Sequence, residues 1–157
     1  MLFQIKEELS PILRTLLQRL SRMSKSHTAT VSKGKPTTDP DAEIGRMLEE
    51  MIDMLAPLIQ YLSKHLYDRI YEGVVMTIFR FILKEIESIL AREEYGVAIM
   101  QDETQRFTLA RTVEVLLFFF NADGKGLAIT EMHAKGYDQF MNMLLGRKQE
   151  PAAAAAQ

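Results

Sequence analysis

An apolar stripe at helical spacing constrains this chain more than any other feature. Met47, Leu48, Met51, Ile52, Leu55, Leu58, Ile59, Leu62 and Leu66 recur at three- and four-residue steps. Ile70, Val74, Ile78, Phe81, Ile82, Ile86 and Ile89 extend the same face. Such spacing places the side chains on one side of an α-helix, and the opposite, charged side faces water. Asp39 and Pro40 suit the cap and first position of that helix, with Asp41 and Glu43 at its positive end. Pro57 is expected to kink the pattern or restart it, since proline removes a backbone donor and crowds the preceding turn. From Pro57 to about Glu93 an unbroken helix would run roughly 55 Å, at 1.5 Å per residue, with Gly73 its weak point.

The rest of the chain reads as helix and connection. Leu2, Ile5, Leu9, Ile12, Leu16, Leu17 and Leu20 give residues 1–23 an amphipathic pattern, and Ser10-Pro11 is expected to restart it. Residues 24–39 are rich in Ser, Thr, Lys, Gly and Pro and read as a flexible linker. The helical body spans 40–147. Within it EYGVAIMQ, at 94–101, is expected to be a connection. Asp102 with Gln105 three residues on has capping-box spacing. The helix that follows should turn Phe107, Ala110, Val113, Leu116, Leu117 and Phe120 inward. A last short helix carries Tyr137, Phe140, Met141, Leu144 and Leu145, and Gly146 stops it. Residues 148–157 read as a disordered tail. No strand alternation of useful length occurs, so the expected fold is all-α, an elongated antiparallel helical bundle.

Composition narrows the function classes. The 157 residues are 47% hydrophobic and 25% charged, enough for a folded core. A net charge of −2 gives no support to nucleic-acid binding. No cysteine is present, so disulfides, thiolate metal sites and cysteine nucleophiles are excluded. No run approaches the about 20 apolar residues of a membrane-spanning helix, and Met1-Leu2-Phe3 does not open a signal peptide. The expected setting is cytoplasmic, with peripheral association at a vesicle or plasma membrane as an option.

One stretch carries apparent chemistry: FFFNADGKGLAITE, residues 118–131. As a calcium loop starting at Asn121 it places Asp123 third and Gly126 sixth, which suits an EF-hand. Lys125 then falls where an oxygen ligand belongs, and Met132 where a bidentate carboxylate belongs. As a phosphate loop it lacks the Gly-Lys-Ser/Thr ending and a preceding strand. His27, His65 and His133 have no metal-pairing spacing, and no nucleophile elbow occurs. No catalytic residue, metal, cofactor or small-molecule substrate is therefore expected. Read as a turn, Phe118–Phe120 close a buried helix, Gly124 and Gly126 supply backbone freedom, and Leu127 re-enters the core.

Two faces are candidates for partners. The N-terminal helix could offer Leu9, Ile12, Leu16 and Leu20 to a partner, to the body or to a membrane. Met47, Met51, Met54, Met76, Met141 and Met143 are either an adaptable surface or core filling.

The order of these features resembles the C-terminal homology segment of the MUN domain, from vesicle-priming and tethering proteins of the uncoordinated/Munc type and their plant and fungal relatives. The resemblance rests on LAPLIQYLSKHLYDRIYEGVVMTIFRFILKEIESIL, then DETQRFTLARTVEVLLFFFNADGKGL, then YDQFMNMLL, over about residues 48–146. Phe119, Phe120, Ala122, Gly124, Gly126 and Leu127 match the family's turn, and Leu144-Leu145 its final helix. Asn121 stands in place of the usual histidine, Asp123 in place of Glu or Gly, and Ala128 where proline often follows. The resemblance implies a rod of stacked helical bundles that engages SNARE or tether helices in exocytosis. The family's SNARE-opening residues lie earlier in the rod and transfer to no position here. Two alternatives stand beside this: a calcium-regulated sensor built on the degenerate Asn121–Met132 loop, and a purely structural rod segment.

Overall fold

A computed structural model describes residues 2–27 and 40–146, with only the backbone described at 23–27, 40, 41 and 43. The described residues form helices and turns, with no strand among them. Helix α1 spans Leu2–His27, α2 Pro40–His65, α3 Asp68–Arg92, α4 Glu94–Gln101 and α5 Glu103–Asn121. A left-handed turn at Ala122–Gly124 leads to α6 (Ile129–Met132), a wide π-type turn at His133–Tyr137 and α7 (Asp138–Leu145). Residues 24–27, expected to open the 24–39 linker, continue α1, while 28–39, Asp39 as a cap, and the 148–157 tail lie outside the described residues.

The core is one continuous apolar cluster to which every long helix contributes. Helix α1 lies at its centre, packed against α2, α3, α4 and α5. Leu9, Leu13, Leu16, Leu17 and Leu20 are buried on it. This corrects the expectation of a partner face: Leu9, Leu16 and Leu20 are 0%, 2% and 1% exposed, and Ile12 is half-buried. Their occupant is the protein's own body. Ser10 Oγ adds a polar tie by donating to Glu85 Oε1 of α3 at 2.9 Å.

Two prolines sit inside helices without ending them. Pro11 lies within α1 and Pro57 within α2, and both are solvent-exposed. The carbonyls they leave without an N–H partner belong to Glu7 and Asp53, also at exposed positions, where water can satisfy them. Gly73 does not interrupt α3 either. The break falls instead at Leu66-Tyr67, with Tyr67 extended at φ −64°, ψ 148°. Lys64 and His65 end α2, and Asp68 opens α3, the charges each helix terminus favours.

Residues 94–101 form a helix rather than a connection. Glu93 (φ −92°, ψ 143°) and Asp102 (φ −105°, ψ 113°) are single-residue hinges on either side of α4. Gly96 lets α4 close onto α3, because a Cβ there would lie 2.2 Å from the Ile89 carbonyl oxygen. Asp102 caps α5 by accepting from the Gln105 backbone N–H at 3.2 Å. The reciprocal half of the capping box is absent: the Gln105 amide donates to Ser21 O of α1 at 3.2 Å instead.

The inward face of α5 is Leu109, Ala110, Val113, Leu116, Leu117 and Phe120, with Gln105 and Thr112. Phe107, expected inside, is 54% exposed, as Ile70 on α3 is 53% exposed. Met47 and Met51 are buried, and Met54, Met76, Met141 and Met143 pack half-buried against the same cluster. The methionines fill the core.

Candidate functional site at the end of helix α5

The turn after α5 satisfies its own backbone. The last four carbonyls of a helix have no intrahelical partner. Here the Ala122 N–H serves Phe118 O and Phe119 O, Leu127 N serves Phe120 O at 2.9 Å, and Gly126 N serves Asn121 O at 2.9 Å. The Asn121 side chain closes the loop from within. Its Oδ1 accepts from Gly124 N at 3.1 Å and its Nδ2 donates to Leu127 O at 2.9 Å.

That wiring requires an unusual chain path. Ala122 (φ 47°), Asp123 (φ 55°) and Gly124 (φ 83°) are consecutive left-handed residues. Only Gly124 adopts this region without a Cβ penalty. Gly126 is glycine for another reason: a Cβ would lie 2.2 Å from Phe120 O and 3.1 Å from Asn121 O. Backbone freedom explains the first glycine and close approach explains the second, which refines the sequence-based account of both.

The aromatic run divides in three. Phe120 is buried and meets Phe79 of α3 edge-on at 5.4 Å between centroids. Phe119 is half-buried, and Phe118 is 56% exposed, so it does not close a buried helix end as expected. Leu127 re-enters the core at 1% exposure.

As a calcium loop this arrangement has the wrong donors. Asn121 is committed to two backbone groups, and the Asn121–Met132 loop holds two carboxylates, Asp123 and Glu131, the second one residue short of the bidentate position. Calcium takes six to eight oxygens. No group of three or more candidate metal ligands assembles among the described residues.

Three surface features surround the body. On α5, Phe107, Val115 and Phe118 share the outward side with Arg111 and Glu114. At the α2–α3 junction Tyr61, Tyr67 and Ile70 are 56%, 85% and 53% exposed, and Tyr61 stacks on His65 at 4.1 Å. Across α1, α3 and the 133–137 turn, two adjoining hollows share Arg80 and Lys84. Lys135 and Glu87 line one, and Lys6 the other, its ammonium 5.2 Å from the Phe81 ring centre. Sequence reasoning missed all three, because each depends on which turns of a helix face outward or on neighbours far apart in the chain.

Near the α5–α7 contact the Tyr137 phenol is pushed above its usual 10.0 by burial, and the Glu114 and Asp138 carboxylates push the same way. His133 Nδ1 pairs with Asp138 Oδ1 at 2.5 Å. No protein family, curated protein or solved structure matches the chain.

Proposed function

We propose that this chain is a non-enzymatic interaction module for vesicle tethering or priming in exocytosis. In this reading it is one segment of an elongated rod of antiparallel helices, related to the C-terminal MUN segment. It binds SNARE or tether helices in the cytoplasm, with peripheral contact to a membrane and no small-molecule substrate or cofactor.

The observation that carries the reading is the turn after α5. Four of the residues that bear the family resemblance do a conformational task. Phe120 and Leu127 anchor it in the core, Gly124 takes a left-handed angle, and Gly126 admits the Phe120 carbonyl. Ala128, where the family often has proline, sits at φ −65°, the angle a proline ring imposes. A turn held this tightly suits a scaffold that keeps α5 and the final helices in register.

Partner binding on such a scaffold uses exposed apolar side chains that helices can clasp. Tyr61, Tyr67 and Ile70 at the α2–α3 junction fit that role, since tyrosine offers large contact area with a polar tip. The test is a pull-down with a panel of SNARE cytoplasmic helices at low salt. Retention of at least one helix, weakened by the Tyr67→Ser/Ile70→Ser double substitution, is the expected outcome. Absence of binding across the panel would overturn the reading. No observation on the Asn121–Met132 loop favours the calcium-sensor alternative, since its donor set is incomplete.

A further inference from the structure

Helix α5 carries on its outward side a row of four exposed residues, Phe107, Arg111, Glu114 and Phe118. Their spacing is four, three, four, the seam of a coiled coil. The row is also self-complementary when reversed. Phe107 and Phe118 are centred on the same point as Arg111 and Glu114, between Thr112 and Val113. Reversal exchanges phenylalanine with phenylalanine and arginine with glutamate.

We infer that α5 is a homotypic docking surface, on which a second copy of this chain pairs antiparallel about a two-fold axis. The occupant follows from charge and symmetry. An isologous contact requires each residue to meet a partner that meets it in return. Phe107 then lies over Phe118 of the second copy, and Arg111 over Glu114, with both contacts made twice. An antiparallel coiled-coil seam pairs its alternate core layers in this way. Among the described residues neither Arg111 nor Glu114 takes an ion-pair partner within its own chain. Val115, 45% exposed, flanks the seam and adds apolar area. A parallel pair would set arginine against arginine and glutamate against glutamate, so charge selects the antiparallel arrangement.

The seam from Phe107 to Phe118 is about 16 Å long at 1.5 Å per residue. One helix pair of that length buries less than the roughly 800 Å² per partner of a standard interface, so the dimer is weak and exchanges rapidly. It would give a tethering module a reversible way to pair two rods, but it does not rest on that role.

Sedimentation velocity of the full chain from about 10 μM to about 1 mM tests the inference, a range set by the small contact. A sedimentation coefficient that rises with concentration toward a dimer is expected. Arg111→Glu alone and Glu114→Arg alone should each weaken association about tenfold or more, because each sets like charges together. The double swap, Arg111→Glu with Glu114→Arg, should restore it to within about threefold, since the pair is merely inverted. Phe118→Ser should abolish it. All four positions are exposed, so the melting temperature should hold and report that the fold is intact. A monomer at every concentration would overturn the inference. So would a double swap no stronger than the single variants, or a dimer indifferent to all of them.

Discussion

Gly126 and Ala122 stand four residues apart in one turn and predict opposite responses. Any side chain at 126 would drive a Cβ to 2.2 Å from the Phe120 carbonyl oxygen, a backbone atom that cannot rotate away. Gly126→Ala should therefore destabilise by about 2–3 kcal/mol, and Gly126→Val by more, read from denaturant midpoints. Ala122 pays for a left-handed φ of 47° with a Cβ, so Ala122→Gly should be neutral or stabilising by up to about 1 kcal/mol. A loss at 122 or tolerance at 126 would mean the turn has a different path. Asn, Gly and Gly in the sequence announce a turn, and that much was legible. The reason for Gly126 was not, since it lies in a carbonyl six residues back that only the folded path brings near. Tyr137 gives a pH prediction at the same scale. Burial first, then Glu114 and Asp138, raise its folded pKa above 10.0, so the folded state holds the phenol proton more tightly than the unfolded chain. That stability is fully present below pH 10 and is lost as pH rises toward the folded value. The fall in melting temperature between pH 9 and 11 should be shallower in Tyr137→Phe. Part of the fall should remain, because burial also raises Tyr71 and Tyr95. Equal slopes in the two proteins would contradict this.

Among the elements, α1 changed meaning most between sequence and structure. Its stripe of leucines was plain, but a stripe does not say what covers it, and the low-complexity stretch after it suggested a separate unit. The fold uses Leu9, Leu13 and Leu17 as central core positions, each at 0–1% exposure, against α2, α3, α4 and α5. Leu17→Ala should cost about 2–5 kcal/mol, as for a fully buried leucine, and Ile12→Ala, at a half-buried position, clearly less. Comparable small losses at both positions, measured by chemical denaturation, would restore α1 to the status of an appended arm. The helix boundaries were legible where charge or capping marked them, as at Asp102 and Gly146. They were misread where proline and glycine suggested a break. Pro11, Pro57 and Gly73 all face solvent, and there the cost of a missing or weakened backbone bond is small enough for core burial to override it. The α2–α3 break had a signal in Lys64, His65 and Asp68, basic end followed by acidic start. On helix α5 the inward positions Ala110, Val113, Leu116, Leu117 and Phe120 were legible, and Phe107 alone was misplaced, because Phe107 and Leu109 are both apolar and rival choices for the first inward turn.

At the scale of the whole molecule, net charge and local charge point in different directions, and a membrane senses the local one. The chain carries −2 overall. Yet Lys6, Arg80, Lys84 and Lys135 gather around two adjoining hollows formed by α1, α3 and the turn before α7, with Glu87 the acidic residue among them. No helix among the described residues is long and apolar enough to cross a membrane, so contact with a bilayer would be peripheral. Interactions between exposed charges fade over about 10 Å at 0.1 M salt, so acidic residues on the far side do little to cancel this band. Each cation brought to an anionic leaflet contributes about 1 kcal/mol, which makes four of them, less one for Glu87, a weak but measurable attraction. Co-sedimentation with vesicles should therefore require anionic lipid, and binding at about 50 mM salt should disappear by about 500 mM as screening shortens. Arg80→Glu with Lys84→Glu reverses the two residues that both hollows share and should abolish binding. The same double reversal at Arg22 and Arg46, exposed positions on α1 and α2 that line neither hollow, should leave most of it. Binding to neutral vesicles, or equal loss from both pairs of substitutions, would show that attachment depends on overall charge or apolar contact instead of on this band.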